Sequence, residues 1–456
     1  MTTRVAYAGP GRRGRFIEAS RDTVLGHAAW LHAELSGFPP WTAARPVASH
    51  HALLVAATLP PRFDGGVFRP LSWLRYAPEN GWRLSAVTRA LDGTICDAGR
   101  QLSRAIPAES ILCHAPPLPL RPSLRLFQDI DGSFLTALAL FRTGAARFAI
   151  APPSIVIATG PSFAAFVAGR LLARHFGARL VLDYRDEWTE NPFDFVHQGR
   201  NDRWWEQRCL AAADLVQFTT ESQRQHAEAA FPGLIGSKGV VLHNGWEPDP
   251  GGPAILAAQP ASGRWTIAYS GVLGAMASPA AFLRDLAKAV ADVPRLRGVL
   301  RLRFIGRRLR EAERTLSRFP YPEMLDLIDQ RPRAEADRLM RKSDALLLLS
   351  GSKMARYLQG KLFEYLAAGR PILVHGHDGE GPALVRQLAA GLHVGTGNSA
   401  GLAHALARFI NAPAGAWNGA CRQVWIQDHT RQGLARQFFG SLDRLVESDR
   451  CAGPAP

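Results

Sequence analysis

Lys361 and Glu364 stand three residues apart in GKLFEYLAAGRPIL, residues 360–373. On a helix that spacing puts a cation and a carboxylate on one face, opposite an apolar stripe of Leu362, Phe363 and Leu366. Such a pair is either a solvated ion pair worth ~0.2–0.5 kcal/mol or two separate handles for a ligand, an ammonium for an anion and a carboxylate for hydroxyls. A second constellation, LDYRDEW (182–188), gathers Asp183, Arg185, Asp186 and Glu187. There Asp186, with Arg185 beside it, is suited to holding hydroxyls or moving a proton; a self-neutralising surface cluster reads the same. Three further stretches could meet an anion: Gly65-Gly66 in PPRFDGGVFR, Gly271 in YSGVLG and Arg307 in RFIGRR. Glycines let backbone N–H groups come close to a phosphate, and a guanidinium matches its geometry. Plain turns and a solvated arginine are the alternatives.

All these residues lie at or just beyond the ends of short apolar runs. The runs ALLVAAT, WRLSAVT, SIVIATG, RLVLDY, DLVQFTT and GVVLHNG alternate with helical stretches, then WTIAYSG, LRLRFIG, DALLLLSG and PILVHG do the same. Runs of this length read as buried parallel strands joined by crossover helices. The expected fold is therefore α/β, with two doubly wound Rossmann-like domains facing a central cleft, and ligands bound beyond the carboxyl ends of the strands. A Pro/Gly/Ala-rich stretch, residues 246–263, separates the two arrays. The expected division is an appendage over 1–48, a first domain over 49–246 and a second over 247–426. Residues 427–456 form a C-terminal helix packing back on the first domain, followed by a flexible tail.

At 456 residues the chain exceeds one compact core. It carries 54 Lys+Arg against 39 Asp+Glu, a net +15 made mostly of arginine. That surplus suits phosphorylated substrates or an anionic membrane surface, and a nucleic acid equally well on charge alone. The five cysteines are scattered, with no CxxC pair, and no histidine stands at metal-ligand spacing beside suitable partners, so no metal site is expected. No run reaches the ~18 apolar residues of a transmembrane helix; SFLTALALF (133–141) stops at Arg142. A cytoplasmic protein is expected, with the inner face of a membrane as a candidate partner.

Taken together and in order, GGVFRPLSWLRYAPENGWRLSAVT, LDYRDEW, VVLHNGWEPD, WTIAYSGVLG, LRFIGR and KLFEYLAAGRPIL resemble glycosyltransferases of the GT-B fold, family 4, over about residues 50–430. The resemblance implies transfer of a sugar from a nucleotide-diphosphate donor to a hydroxyl, with retention and without a metal or other cofactor. The acceptor, a saccharide or lipid-linked glycan, would sit on the first domain and the donor on the second; no nucleic acid is implied. Glu364 would take the ribose hydroxyls and Lys361 the diphosphate, with Gly271 and Arg307 along its path. Arg333, in RPRAE, would lie near the base, and Gly65-Gly66 near the transferred sugar. KLFEY with RDEW is similar to a polysaccharide-assembly branch. Three positions depart from the family pattern. Arg356 stands eight residues before Glu364 where a second glutamate is usual, GVLGAMASPAAF lacks the usual basic pair, and TGPSFAAF lacks a histidine. A GT-B protein that binds sugar nucleotides without transfer, or an epimerase of the same architecture, are the competing expectations.

Overall fold

The computed structural model describes residues 50–91, 95–116, 130–196, 198–199, 201–248, 264–412 and 415–451. The expected 1–48 appendage, the tail beyond 451 and most of the 246–263 linker lie outside them. The chain divides into two compact units. One comprises residues up to Leu242 together with those from Ala435 onward, and the other is His243–Leu434.

In the first unit β1 (His51–Ala56), α1 (Phe68–Tyr76), β2 (Arg83–Arg89), α2 (Asp97–Ser103), β3 (Leu112–Ala115), α3 (Phe134–Arg147) and β4 (Ile155–Gly160) follow one another. Then come α4 (Ala164–Phe176), β5 (Arg179–Tyr184), α5 (Asp202–Ala212), β6 (Leu215–Phe218), α6 (Glu221–Ala230) and β7 (Gly239–Val241). The seven strands pair in parallel in the order β3-β2-β1-β4-β5-β6-β7. β1 and β4 are buried along their whole length, which is why they read as continuous apolar runs rather than alternating ones.

The second unit runs through β8 (Trp265–Ser270), α7 (Ala280–Asp292), α8 (Arg295–Val299), β9 (Leu300–Ile305), α9 (Arg310–Ser317), β10 (Leu325–Ile328) and α10 (Arg333–Arg341). It continues with β11 (Ala345–Ser350), α11 (Gly360–Ala367), β12 (Ile372–Gly376), α12 (Glu380–Gln387), β13 (Gly391–Val394), α13 (Ser399–Asn411) and α14 (Ala420–Asp428). Its sheet is also parallel, in the order β10-β9-β8-β11-β12-β13. Alternate residues of β11 feed separate cores. Leu347 and Leu349 pack with α7 and α13, whereas Leu346 and Leu348 pack with α10, α11 and α12. A last helix, α15 (Arg431–Cys451), enters the first unit from Ala435 on. There Phe438 stacks on Trp73 at 4.3 Å, and Trp82 Nε1 donates to Asp443 at 2.9 Å.

In each sheet the strand order reverses once, between β1 and β4 and between β8 and β11. Loops leaving those strands diverge and open a crevice there. Among the described residues no helix is long and apolar enough to cross a membrane.

Candidate functional site

In the second unit the reversal point is occupied by the start of α11. Leu362, Phe363 and Leu366 are fully buried, each contributing roughly 1.5–3 kcal/mol, and this anchors the opposite face. Gln359 precedes the helix in extended conformation and donates through Nε2 to the Leu349 carbonyl at 2.9 Å, tying the helix start to the end of β11. At the other end Gly369, with φ of 71°, takes the left-handed conformation that stops the helix before Pro371.

Lys361 and Glu364 do not pair with each other. Lys361 Nζ donates to Tyr269 Oη at 2.5 Å and lies 3.9 Å from that ring's centroid, while Glu364 faces Arg333 at 3.7 Å. The ion-pair alternative therefore fails: half-burial against β8 draws the lysine away from its helical neighbour. Burial also pulls the Lys361 pKa down to about 7, an effect Glu364 partly offsets. Gly271 closes the space above. Its φ is 128°, and a Cβ there would stand 3.0 Å from Lys361 Nζ. Gly306 backs onto it so closely that a Cβ would lie 2.4 Å from the Gly271 carbonyl oxygen. The two loops are joined by Gly271 N–H to Ile305 O and Leu273 N–H to Arg307 O, both 2.9 Å. Arg307 is exposed, and among the described residues its side chain has no partner. Arg308 instead turns inward to Asp329 and Glu313 at 2.6 and 2.9 Å.

Glu364 and Arg333 line a small pocket together with Trp246, Glu247 and Asp337. Arg333 also donates to the Glu247 carbonyl at 3.3 Å. The second unit thus brings Gly271, Lys361, Glu364 and Arg333 together around one helix. A cation beside a glycine turn can take a phosphate, and an accessible carboxylate can accept two hydroxyls.

Two residues here escaped the sequence reading. Tyr269 stood in view at the end of WTIAYSG, but only the fold places its hydroxyl under Lys361. Arg422 carried no signal at all. It is fully buried, faces no carboxylate among the described residues, and donates to the carbonyls of Tyr365, Leu366, Arg370 and Trp417 at 2.8, 3.1, 2.9 and 2.7 Å. It therefore caps the carboxyl end of α11, where a cation opposes the helix dipole.

In the first unit LDYRDEW divides its labour. Asp183 is fully buried and accepts from Arg69 (2.9 Å), Thr159 (2.7 Å) and Gln217 (2.8 Å), a structural knot. Arg185 donates to the carbonyls of Gly160, Pro161 and Gly66, clamping the loops that follow β1 and β4. Gly66 admits it, since a Cβ there would lie 2.7 Å from the guanidinium, whereas a Cβ on Gly65 would meet nothing within 4 Å. Asp186, half-buried, accepts no hydrogen bond from the described residues. Burial raises its pKa to about 6 against the opposing pull of Arg185. Its supporting loop is pinned from α5. Asp202 accepts from the backbone N–H of Asp131 (2.9 Å) and of Gly199, and Glu206 from Thr189 N–H at 3.0 Å. Burial raises both carboxyls to about 7. Neither was singled out from sequence, where they read as ordinary helix acids.

A glycosyl transferase 4-like domain model matches residues 64–245, and the glycosyl transferases group 1 model matches residues 268–412. No curated protein sequence matches the chain. Among solved structures, HepE of Anabaena in complex with UDP and glucose aligns with a TM-score of 0.59 at 16% identity, over 86% of this chain and 99% of that one. A glycosyltransferase from Rickettsia africae aligns with 0.64 at 13%, over 87% and 98%. Sucrose-phosphate synthase of Thermosynechococcus elongatus aligns with 0.63 at 16%, over 88% and 99%.

Proposed function

Because this chain belongs to the family 4-like glycosyltransferases of the GT-B fold, we propose that it moves a sugar from a nucleotide-diphosphate donor to a hydroxyl of a saccharide or lipid-linked acceptor, with retention. The observation carrying this reading is the separation of Lys361 from Glu364, one turned to the Gly271 turn and the other to the Arg333 pocket. That separation supplies distinct places for a diphosphate and for a ribose diol. HepE, a protein of like fold, was solved with UDP-glucose, which supports a sugar nucleotide as the donor class.

In the reaction, the bond from the anomeric carbon to the diphosphate oxygen breaks and one to the acceptor oxygen forms on the same face. Lys361, with Arg307, offsets charge gathering on the leaving diphosphate. Arg333 is assigned to the base, and Gly65-Gly66 to the transferred sugar. Asp186 is assigned to the acceptor hydroxyl and its proton, and Arg185 to holding the loops around it; the reading calls for no metal. The basic surplus supports work at the cytoplasmic face of an anionic membrane, in assembly of a polysaccharide or glycoconjugate.

Calorimetry against a panel of sugar nucleotides, followed by product detection with glycan acceptors, tests the proposal. Glu364→Ala is expected to weaken donor binding at least about tenfold; unchanged affinity refutes the assignment. Binding without turnover on any acceptor favours the second reading, a binding protein without transfer. Arg356 in place of a carboxylate and the lack of basic residues after β8 speak for that reading.

A further inference from the structure

We propose that Tyr269 positions Lys361 for the donor diphosphate, accepting a hydrogen bond from its ammonium at the end of β8 and keeping the lysine out of an ion pair with Glu364. The inference rests on the donor reading above and adds a residue that the reading does not use.

A lysine three residues before a glutamate on a helix would ordinarily lean toward it. Here Tyr269 prevents that. Its ring is almost wholly buried and therefore fixed. Its hydroxyl hydrogen is committed to the Val272 carbonyl at 2.9 Å, so toward Lys361 the oxygen can only accept. The ring face below adds a cation–π attraction. Lys361 is thus aimed at the Gly271 turn, whose φ of 128° favours glycine and where a Cβ would press on the ammonium at 3.0 Å. The position matters because the loop after β8 has no arginine or lysine of its own. An anion at Gly271 meets this one lysine, with the exposed Arg307 entering from the adjoining loop.

Among the described residues the groups acting on Lys361 are Tyr269 from β8 and Glu364 from α11. Tyr365, also on α11, is bound instead to the Ser270 N–H at 2.8 Å. Beyond Gly271, Arg308 is held by Glu313 and Asp329. Charge on Lys361 therefore depends on little besides its burial, the tyrosine and Glu364. Below pH ~7 the lysine is charged before the donor arrives, and above it binding must draw a proton in, so donor affinity falls as pH rises.

The experiment is a double-mutant cycle, read by calorimetry with the tightest binder from a panel of UDP-, GDP-, ADP- and dTDP-sugars across pH 6–9. Tyr269→Phe keeps the ring but removes the acceptor. It is expected to weaken binding about tenfold at pH 7 and to move the fall in affinity to lower pH. In a Lys361→Met background, which should bind weakly and without this pH dependence, Tyr269→Phe is expected to have no further effect. If Tyr269→Phe weakens both backgrounds by the same factor, the tyrosine acts only through the Val272 loop and the proposal is overturned. It is equally overturned if Tyr269→Phe leaves affinity and pH profile as in the native protein. Failure of the native protein to bind any sugar nucleotide is a different result, and refutes the donor reading itself.

Discussion

Replacing Arg422 with methionine removes the buried cation that holds the carboxyl end of α11, and the cost can be worked from its contacts. Four hydrogen bonds join the guanidinium to carbonyl oxygens between 2.7 and 3.1 Å. Bonds to a charged group are worth about 1.5–3 kcal/mol each, so the gross loss is roughly 6–12 kcal/mol. Against this stands relief from burying the charge. Burial takes the Arg422 pKa well below its ordinary value, down to about 9, a shift that at 1.36 kcal/mol per unit is roughly 5 kcal/mol. The net expectation is a loss of about 1–7 kcal/mol, with its middle near 4, in line with breaking other buried polar arrangements. For a unit running from His243 to Leu434, that lowers the melting temperature by about 10 °C. Differential scanning calorimetry of the full chain measures it. Arg422→Lys, which keeps the charge but cannot span all four carbonyls, should lose about half as much. A methionine variant melting within about 2 °C of the native protein would refute the reasoning, because the carbonyls would then have found other donors at no cost.

Other expectations concern the two frameworks behind the sites. Asp202 and Glu206 keep their protons to about pH 7 in the folded protein but release them near pH 4 when unfolded. What these two groups contribute to the stability of the first unit is therefore greatest at and below pH ~4 and is lost as pH rises to ~7. Melting temperatures across that range should show this decline, and Asp202→Asn should flatten it; an unchanged slope counts against the assignment. Gly306→Ala forces a Cβ to 2.4 Å from the Gly271 oxygen at a φ of 126°. A loss of about 2–4 kcal/mol together with weakened donor binding is expected, whereas Gly351→Ala, with open space around it, should change stability by less than about 0.5 kcal/mol.

What could be read in advance follows from burial. β1, β4 and β11 are enclosed on both faces, so their apolar runs announce them. β3, β10 and β13 are edge strands, half-exposed, and ILCHA, LDLI and GLHV carry too mixed a pattern to stand out. α3 contains the apolar SFLTALALF because it packs within the first core through Phe134, Ala137 and Leu140. Lys361 and Glu364 were visible as a pair by helical spacing, but their separation depends on Tyr269, 92 residues away in sequence. In LDYRDEW the cluster was visible and its division was not. Burial at the strand end decides that Asp183 is knotted, Arg185 is spent on carbonyls and Asp186 accepts no hydrogen bond from the described residues. Arg422 lay wholly beyond reach, since its partners are backbone oxygens brought together only by packing.

The packing of α15 from Ala435 onward has a consequence for the order in which the chain matures on the ribosome. The first unit is translated first, yet Trp73 and Trp82 acquire Phe438 and Asp443 only after the whole second unit has been made. The second unit, an unbroken stretch of chain, has its full set of residues sooner. During synthesis the earlier-born sheet therefore waits with two tryptophans uncovered, a window in which a chaperone could engage it and which shuts only when the final helix arrives.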